Sequence, residues 1–175
     1  MAGSDIKSGH LHRSGYIYKG RARIKALDVV GTSSAGMLEV WDSLTAPVTS
    51  GTYGRSGTTV TVTDTDHGLK TGDVVGIAFD EGTGGMATPG NYAITVVDAD
   101  TFTFVDINSG TVSNDPDCRY VTGVDGFNAQ WKATFHTSAN DTYYNGFNIP
   151  EDGMLCRLGI YAYSVNLASV NIYYA

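Results

Sequence analysis

Thr58-Thr59-Val60-Thr61-Val62-Thr63 opens a stretch that runs to Thr101-Phe102-Thr103-Phe104-Val105 and decides the fold. Between these ends lie a turn at His67-Gly68-Leu69-Lys70-Thr71-Gly72-Asp73, the apolar run Val74 to Phe79, a Gly-rich loop, Asn91 to Val97, and a tight turn at Asp98-Ala99-Asp100. Period-2 alternation bounded by Gly, Asp and Pro predicts short antiparallel strands. The stretch reads as a small β module, entered through the Ser/Thr/Gly-rich segment from Ala46 to Gly57 and left near Gly123 to Gly126.

Working outward, Gly15 to Val30 alternates along its whole length, with Tyr16, Tyr18, Gly20, Ala22 and Ile24 on one face and Ile17, Lys19, Arg21, Arg23 and Lys25 on the other. This predicts one half-buried strand with a bulge near Ala26 to Asp28. Met37 to Asp42 and Ala129 to His136 read as further strands, Ile149 to Gly153 as a sharp turn, and Met154 to Tyr163 with Val165 to Tyr174 as a closing hairpin. Neither flank alone supplies two sheets, but together they give about six strands, enough for a sandwich. No segment has a helical apolar period. The expected fold is therefore all-β: residues 1–13 as an N-terminal arm, 14–50 with 124–175 as a discontinuous antiparallel β-sandwich of jelly-roll kind, and 54–123 as an inserted small β-barrel-like domain.

Composition agrees with many strands and turns: of 175 residues, 22 are Gly and 11 Tyr, and only 17% are charged. No apolar run approaches the ~20 residues a membrane helix needs, and Met1 to Arg13 lacks the apolar middle of a secretory signal, so the expectation is a protein used without export or membrane. Cys118 and Cys156 are expected as reduced, half-buried thiols, although spacing leaves their pairing open.

The net charge of −7 is unevenly placed. Gly54 to Gly123 carries ten acids against three bases, whereas Met1 to Lys25 carries Lys7, Arg13, Lys19, Arg21, Arg23 and Lys25 against Asp5 alone. Such asymmetry bears on docking rather than fold. The six basic residues are the candidate docking surface for a protein partner. A solvated or edge-protecting face is the simpler reading of the alternate Lys19, Arg21, Arg23 and Lys25. Overall acidity and the lack of interleaved aromatics on that face argue against nucleic acid.

Candidate chemistry is sparse. His10 and His12 could bind a transition metal with Asp5 as third ligand, but two His on an arm make a poor site without more ligands. Asp64, Asp66, Asp98 and Asp100 suggest calcium, yet Asp in β-turns is ordinary turn chemistry. His67 is best read as closing its turn. Gly82-Thr83-Gly84-Gly85 lacks the Lys-Ser/Thr pair of a phosphate loop, and no nucleophile–base pair or facing carboxylates stand out. No catalytic residue, cofactor or metal is expected. Tyr143, Tyr144 and Phe147 could stack on sugar rings, although packing in the sandwich is the plainer role.

Ser14 to Lys25, Ile149-Pro150-Glu151-Asp152-Gly153-Met154-Leu155, Gly159-Ile160-Tyr161 and Val170 to Tyr174 resemble a family of small β-sandwich proteins among the virion structural genes of tailed bacteriophages, notably podophages. The resemblance covers about 90 residues. That family joins its halves by an Arg-Asp-Gly-like turn; here Trp41-Asp42-Ser43 stands in its place, which puts any role of that turn in doubt. The motifs His67-Gly68-Leu69, Thr71 to Val75, Gly84-Gly85-Met86, Gly90-Asn91-Tyr92 and Asp98 to Phe104 are similar to a β domain recurring in phage structural proteins and to the first catalytic-cysteine half-domain of ubiquitin-activating enzymes, which implies fold and not activity. The resemblance implies a non-enzymatic virion protein. The charge layout then favours a capsid decoration (cement) protein docked on the major capsid protein or another virion protein, as a homo-oligomer with a trimer favoured. The alternatives are a tail, head–tail connector or fibre-associated component, or a module binding host surface glycan.

Overall fold

The computed structural model describes residues 6–49, 51–79, 86–116, 118–122, 129–142 and 144–175. Packing divides the chain into two compact units: Met1–Ala46 with Lys132–Ala175, and Pro47–Trp131. Every element among the described residues is a strand, and every pairing given between strands is antiparallel.

The first unit contains β1 (Lys7–Leu11), β2 (Gly15–Lys19), β3 (Ala22–Gly31), β4 (Gly36–Asp42), β12 (Tyr144–Asn148), β13 (Met154–Cys156), β14 (Gly159–Val165) and β15 (Leu167–Tyr174), and most of β11 (Gln130–Thr137). One sheet runs β1-β15-β3-β12, with β13 also paired to β3, and the other runs β11-β4-β14-β2. Ile24, Leu27 and Val29 of β3 and Ile172 of β15 face Leu38 and Val40 of β4 and Ile160 and Ala162 of β14 in a single core, which makes this unit a β-sandwich. Burial in β3 passes from Ala22 and Ile24 to Leu27 and Val29. The phase slips at Lys25, where the register against Tyr173 and Tyr174 of β15 is irregular. That is the bulge the alternation predicts, one residue early.

Three expectations for this unit are corrected. The arm over 1–13 is an element from Lys7 to Leu11: β1 pairs with β15, Lys7 opposite Tyr174 and Leu11 opposite Val170. Short polar strands have no period to show, and the distant partner supplies the order. Residues 1–5 lie outside the described residues.

Gly15 to Val30 is two strands, because the chain leaves one sheet for the other at Gly20 and Arg21. Gly20 has φ +136°, open to glycine, and its N–H donates to the Leu158 carbonyl at 2.8 Å. The closing hairpin is likewise absent. β14 and β15 belong to opposite sheets, and Asn166 at φ +53° turns the chain between them.

The second unit holds β5 (Thr52–Thr63), β6 (Val74–Phe79), β7 (Gly90–Ala93), β8 (Thr95–Val96), β9 (Thr101–Asp115) and β10 (Cys118–Val121). They form two three-stranded sheets, β10-β6-β7 and β5-β9-β8. A core rich in aromatics joins them: Phe104 stacks on Tyr92 at 4.3 Å, Tyr53 lies 4.5 Å from Phe79, and Phe102 meets Tyr120 edge-on at 5.5 Å. Among the described residues the sheets do not close into a barrel, so the barrel-like expectation becomes two packed sheets. The loop Gly82–Gly85 and the exit at Gly123–Gly126 lie outside the described residues.

Candidate functional site

The six basic residues do not share one face. The break at Gly20 separates them, placing Lys19 at the end of β2 and Arg23 and Lys25 on β3. Lys19 Nζ sits 4.4 Å above the ring of Tyr16, within cation–π range. Lys25 is half-buried and donates to the Asp152 carbonyl at 2.8 Å. Arg13 follows β1, beyond Leu11, so the length of that strand separates it from Lys7. Because β3 lies inside its sheet, with β15 on one side and β12 and β13 on the other, Arg23 and Lys25 do not guard an edge. Lys7 on β1 and Lys19 at the end of β2 are the ones of the six on outermost strands.

What the fold does bring together is Lys7 and Arg21. Both are exposed, and they line a groove of about 280 Å³ with Tyr18, Ala22, Tyr174 and Ala175. Tyr18 and Tyr174 form its aromatic floor, ring centroids 5.1 Å apart and tilted by 32°. Alternation along a single strand would send Tyr18 and Arg21 to opposite faces; the switch of sheets at Gly20 turns them toward the same groove. Two cationic heads beside two rings suit an acidic group carried on a partly apolar stem. The sequence signal for this groove was the charge alone, because its geometry depends on pairing of β1 with β15 across more than 150 residues.

The other candidates resolve into structural roles. Leu69 N–H donates to His67 Nδ1 at 3.0 Å, closing the His-Gly-Leu turn, and the His67 ring meets Phe102 edge-on at 5.3 Å. Asp98 Oδ1 accepts from Asp100 N–H and Asp100 Oδ1 from Asp66 N–H, each at 2.9 Å. Asp64 Oδ2 accepts from the Tyr120 hydroxyl at 2.6 Å. Burial first, then that hydrogen bond and the charge of Asp64, raise the Tyr120 pKa far above that of a free phenol. These are turn and strand-end duties. Among the described residues no three His, Cys, Asp or Glu side chains converge as a metal cluster. Asp5 and Tyr143 lie outside the described residues. Phe147, a candidate sugar platform, packs on the sandwich core and against Phe135 at 5.0 Å.

Neither Cys118 nor Cys156 is in a disulfide, and both are buried, one in each unit, rather than half-buried. Beside Cys156 lies a group whose place in the fold the sequence did not reveal. Asp42 is buried at the end of β4, and its carboxylate accepts the N–H groups of Arg157 at 2.8 Å, Leu158 at 2.7 Å and Gly159 at 3.2 Å. Lys132 Nζ approaches it at 3.7 Å. These contacts hold the point where the chain passes from β13 in one sheet to β14 in the other.

No protein-family model and no curated protein matches the chain. Among solved structures, the phage phi92 endosialidase is similar at 20% identity with a TM-score of 0.31, over 82% of this chain and 20% of that chain. The chain thus spans about a fifth of the length of that neighbour. The similarity of residues 67–104 to the half-domain of ubiquitin-activating enzymes rests on those sequence motifs alone.

Proposed function

We propose that this chain is a non-enzymatic structural protein of a tailed-phage virion, and specifically a capsid decoration protein that docks through the Lys7–Arg21 groove. The observation that carries the reading is the partition of charge between the two units. Arg55, Lys70 and Arg119 are the bases of the second unit, set against eleven acids, whereas Lys7, Arg13, Lys19, Arg21, Arg23 and Lys25 all belong to the first. The first unit as a whole is near neutral, with eight bases against seven acids. A surface with an excess of acid, such as the major capsid protein or another virion protein could present, would therefore be repelled by the second unit and attracted to the first where its basic residues gather. Weak single contacts become tight when many copies act together, and a homotrimer at local three-fold positions would multiply the groove in this way. The sequence motifs shared with podophage sandwich proteins support the same reading.

The test is co-sedimentation of the purified chain with particles that lack it. Binding should weaken with added salt and fall sharply in the exposed-site variant Lys7→Glu/Arg21→Glu, and labelled chain should be spread over the whole shell. Label confined to the tail would replace decoration with a tail, connector or fibre role. Undiminished binding by the double variant would remove the groove from the interface.

A further inference from the structure

His10 and His12 stand on the edge of the first unit, and each imidazole is fixed by its inner nitrogen. His12 Nδ1 lies 2.9 Å from the Ala168 carbonyl, which can only accept, so Nδ1 carries the proton. His10 Nδ1 donates in the same way to Asn171 Oδ1 at 2.6 Å. Both anchors are on β15. With each ring protonated at Nδ1, each Nε2 presents an in-plane lone pair, and the two Nε2 atoms lie 3.0 Å apart with the rings at 86°. Two facing lone pairs at that distance repel unless a positive centre sits between them.

We infer that His10 and His12 form a two-imidazole site for a divalent transition metal of the zinc, nickel or copper class. Metal–nitrogen bonds of about 2.05 Å separate two ligand nitrogens by about 2.9 Å at a right angle and about 3.3 Å at the tetrahedral angle, which bracket the observed spacing. The Nδ1 donations to a backbone carbonyl and a side-chain amide are the outer contacts that orient a ligating histidine. Both side chains are exposed, so the remaining coordination positions are open to water. An ion there would tie the end of β1 and the following turn to β15 through two rigid rings. A sequence reading sees two His on a polar arm; pairing of β1 with β15 is what orders them.

The experiment uses the untagged full chain, stripped with chelator and titrated calorimetrically with nickel, zinc or copper chloride, together with retention on immobilised nickel. One ion per chain is expected. His10→Ala and His12→Ala should each weaken binding at least about tenfold, the double variant should abolish it, and Asn171→Ala should weaken it about 10–100-fold by freeing the His10 ring. All four variants should keep the metal-free melting temperature to within a few degrees, since His10 and His12 are exposed and Asn171 is only half-buried. Failure to saturate at one ion, or binding that survives the double variant, overturns the site. So does nitrogen NMR of the stripped protein showing a proton held between the two Nε2 atoms, if no metal displaces it.

Discussion

Arg55 and Asp106 form an ion pair at 3.3 Å with both side chains almost sealed from solvent, at 1% and 0% exposure. Arg55 also donates to the carbonyls of Gly57, Met86 and Asn108, and Asp106 accepts the N–H groups of Thr88 at 2.6 Å and Asn108 at 3.0 Å. One buried pair therefore stitches β5, β9 and the segment before β7 together in a unit without disulfides. Removing one partner leaves a buried charge with no counter-ion. Arg55→Met should lower the unfolding free energy by about 3–5 kcal/mol, read as a fall in the urea midpoint at pH 7.

The same carboxylate gives the second unit an acid-sensitive component. Burial pushes the Asp106 pKa up, but the N–H groups of Asn108 and Thr88, the Thr88 hydroxyl and the Arg55 charge outweigh it, and the net shift is downward. A pKa depressed by folding stabilises above the unfolded value and is lost as pH falls through the folded value. The urea midpoint should decline as pH drops below the usual carboxylate range. Asp106→Asn should flatten that part of the profile.

Asp42→Ala should be among the most damaging single changes in the sandwich. It strips the acceptor from three N–H groups at once, each costing about 1–3 kcal/mol when buried without a partner. A loss on the order of 3–5 kcal/mol is expected, measured as a lower melting temperature of the full chain.

Cys156 should be inert in the native protein. Burial first, and then the negative charge of Asp42, push its thiol up to about 12, so almost no thiolate exists near neutrality. A thiol reagent should label Cys156 only as fast as the sandwich opens, and Asp42→Ala should accelerate labelling through that opening.

Gly153 closes the turn before β13 at φ +81°, where a Cβ would collide with the Ile24 carbonyl oxygen. Gly153→Ala combines a left-handed backbone with a backbone clash and should cost about 1–3 kcal/mol, again read from thermal unfolding.

Periodicity reported the strands whose faces differ and was silent on which sheet each one joins. Thr58 to Thr63, Val74 to Phe79 and Thr101 to Val105 fall within β5, β6 and β9, and Asp98 to Asp100 makes the turn read from its residues. Yet β5 begins at Thr52 and β9 continues to Asp115. Gly54, Gly57, Asn108 and Ser109 carry no strand signal: Gly54, Asn108 and Ser109 fall at the two irregularities of the β5–β9 register, and Gly57 takes a left-handed φ of +63°. Alternation also passes smoothly through Gly20, because a strand that changes sheets keeps its two-residue period on both sides of the break. The basic residues were legible as charge; that Lys7 and Arg21 would meet over Tyr18 and Tyr174 depends on β1 finding β15, which local sequence does not encode. His10 and His12 were visible as types, and Ala168 and Asn171, which fix them, were not.

The threading of the sandwich has a consequence for biosynthesis. Its first strand waits for its last: Lys7–Leu11 has no neighbour in its sheet until Leu167–Tyr174 has left the ribosome. The run from Pro47 to Trp131 is contiguous and can condense while the remainder is still being translated, leaving the early β-segments exposed meanwhile. Closure over such sequence separations is intrinsically slow, so partially made chains hold their unpaired strand edges open to edge-to-edge association for longer than the finished protein does.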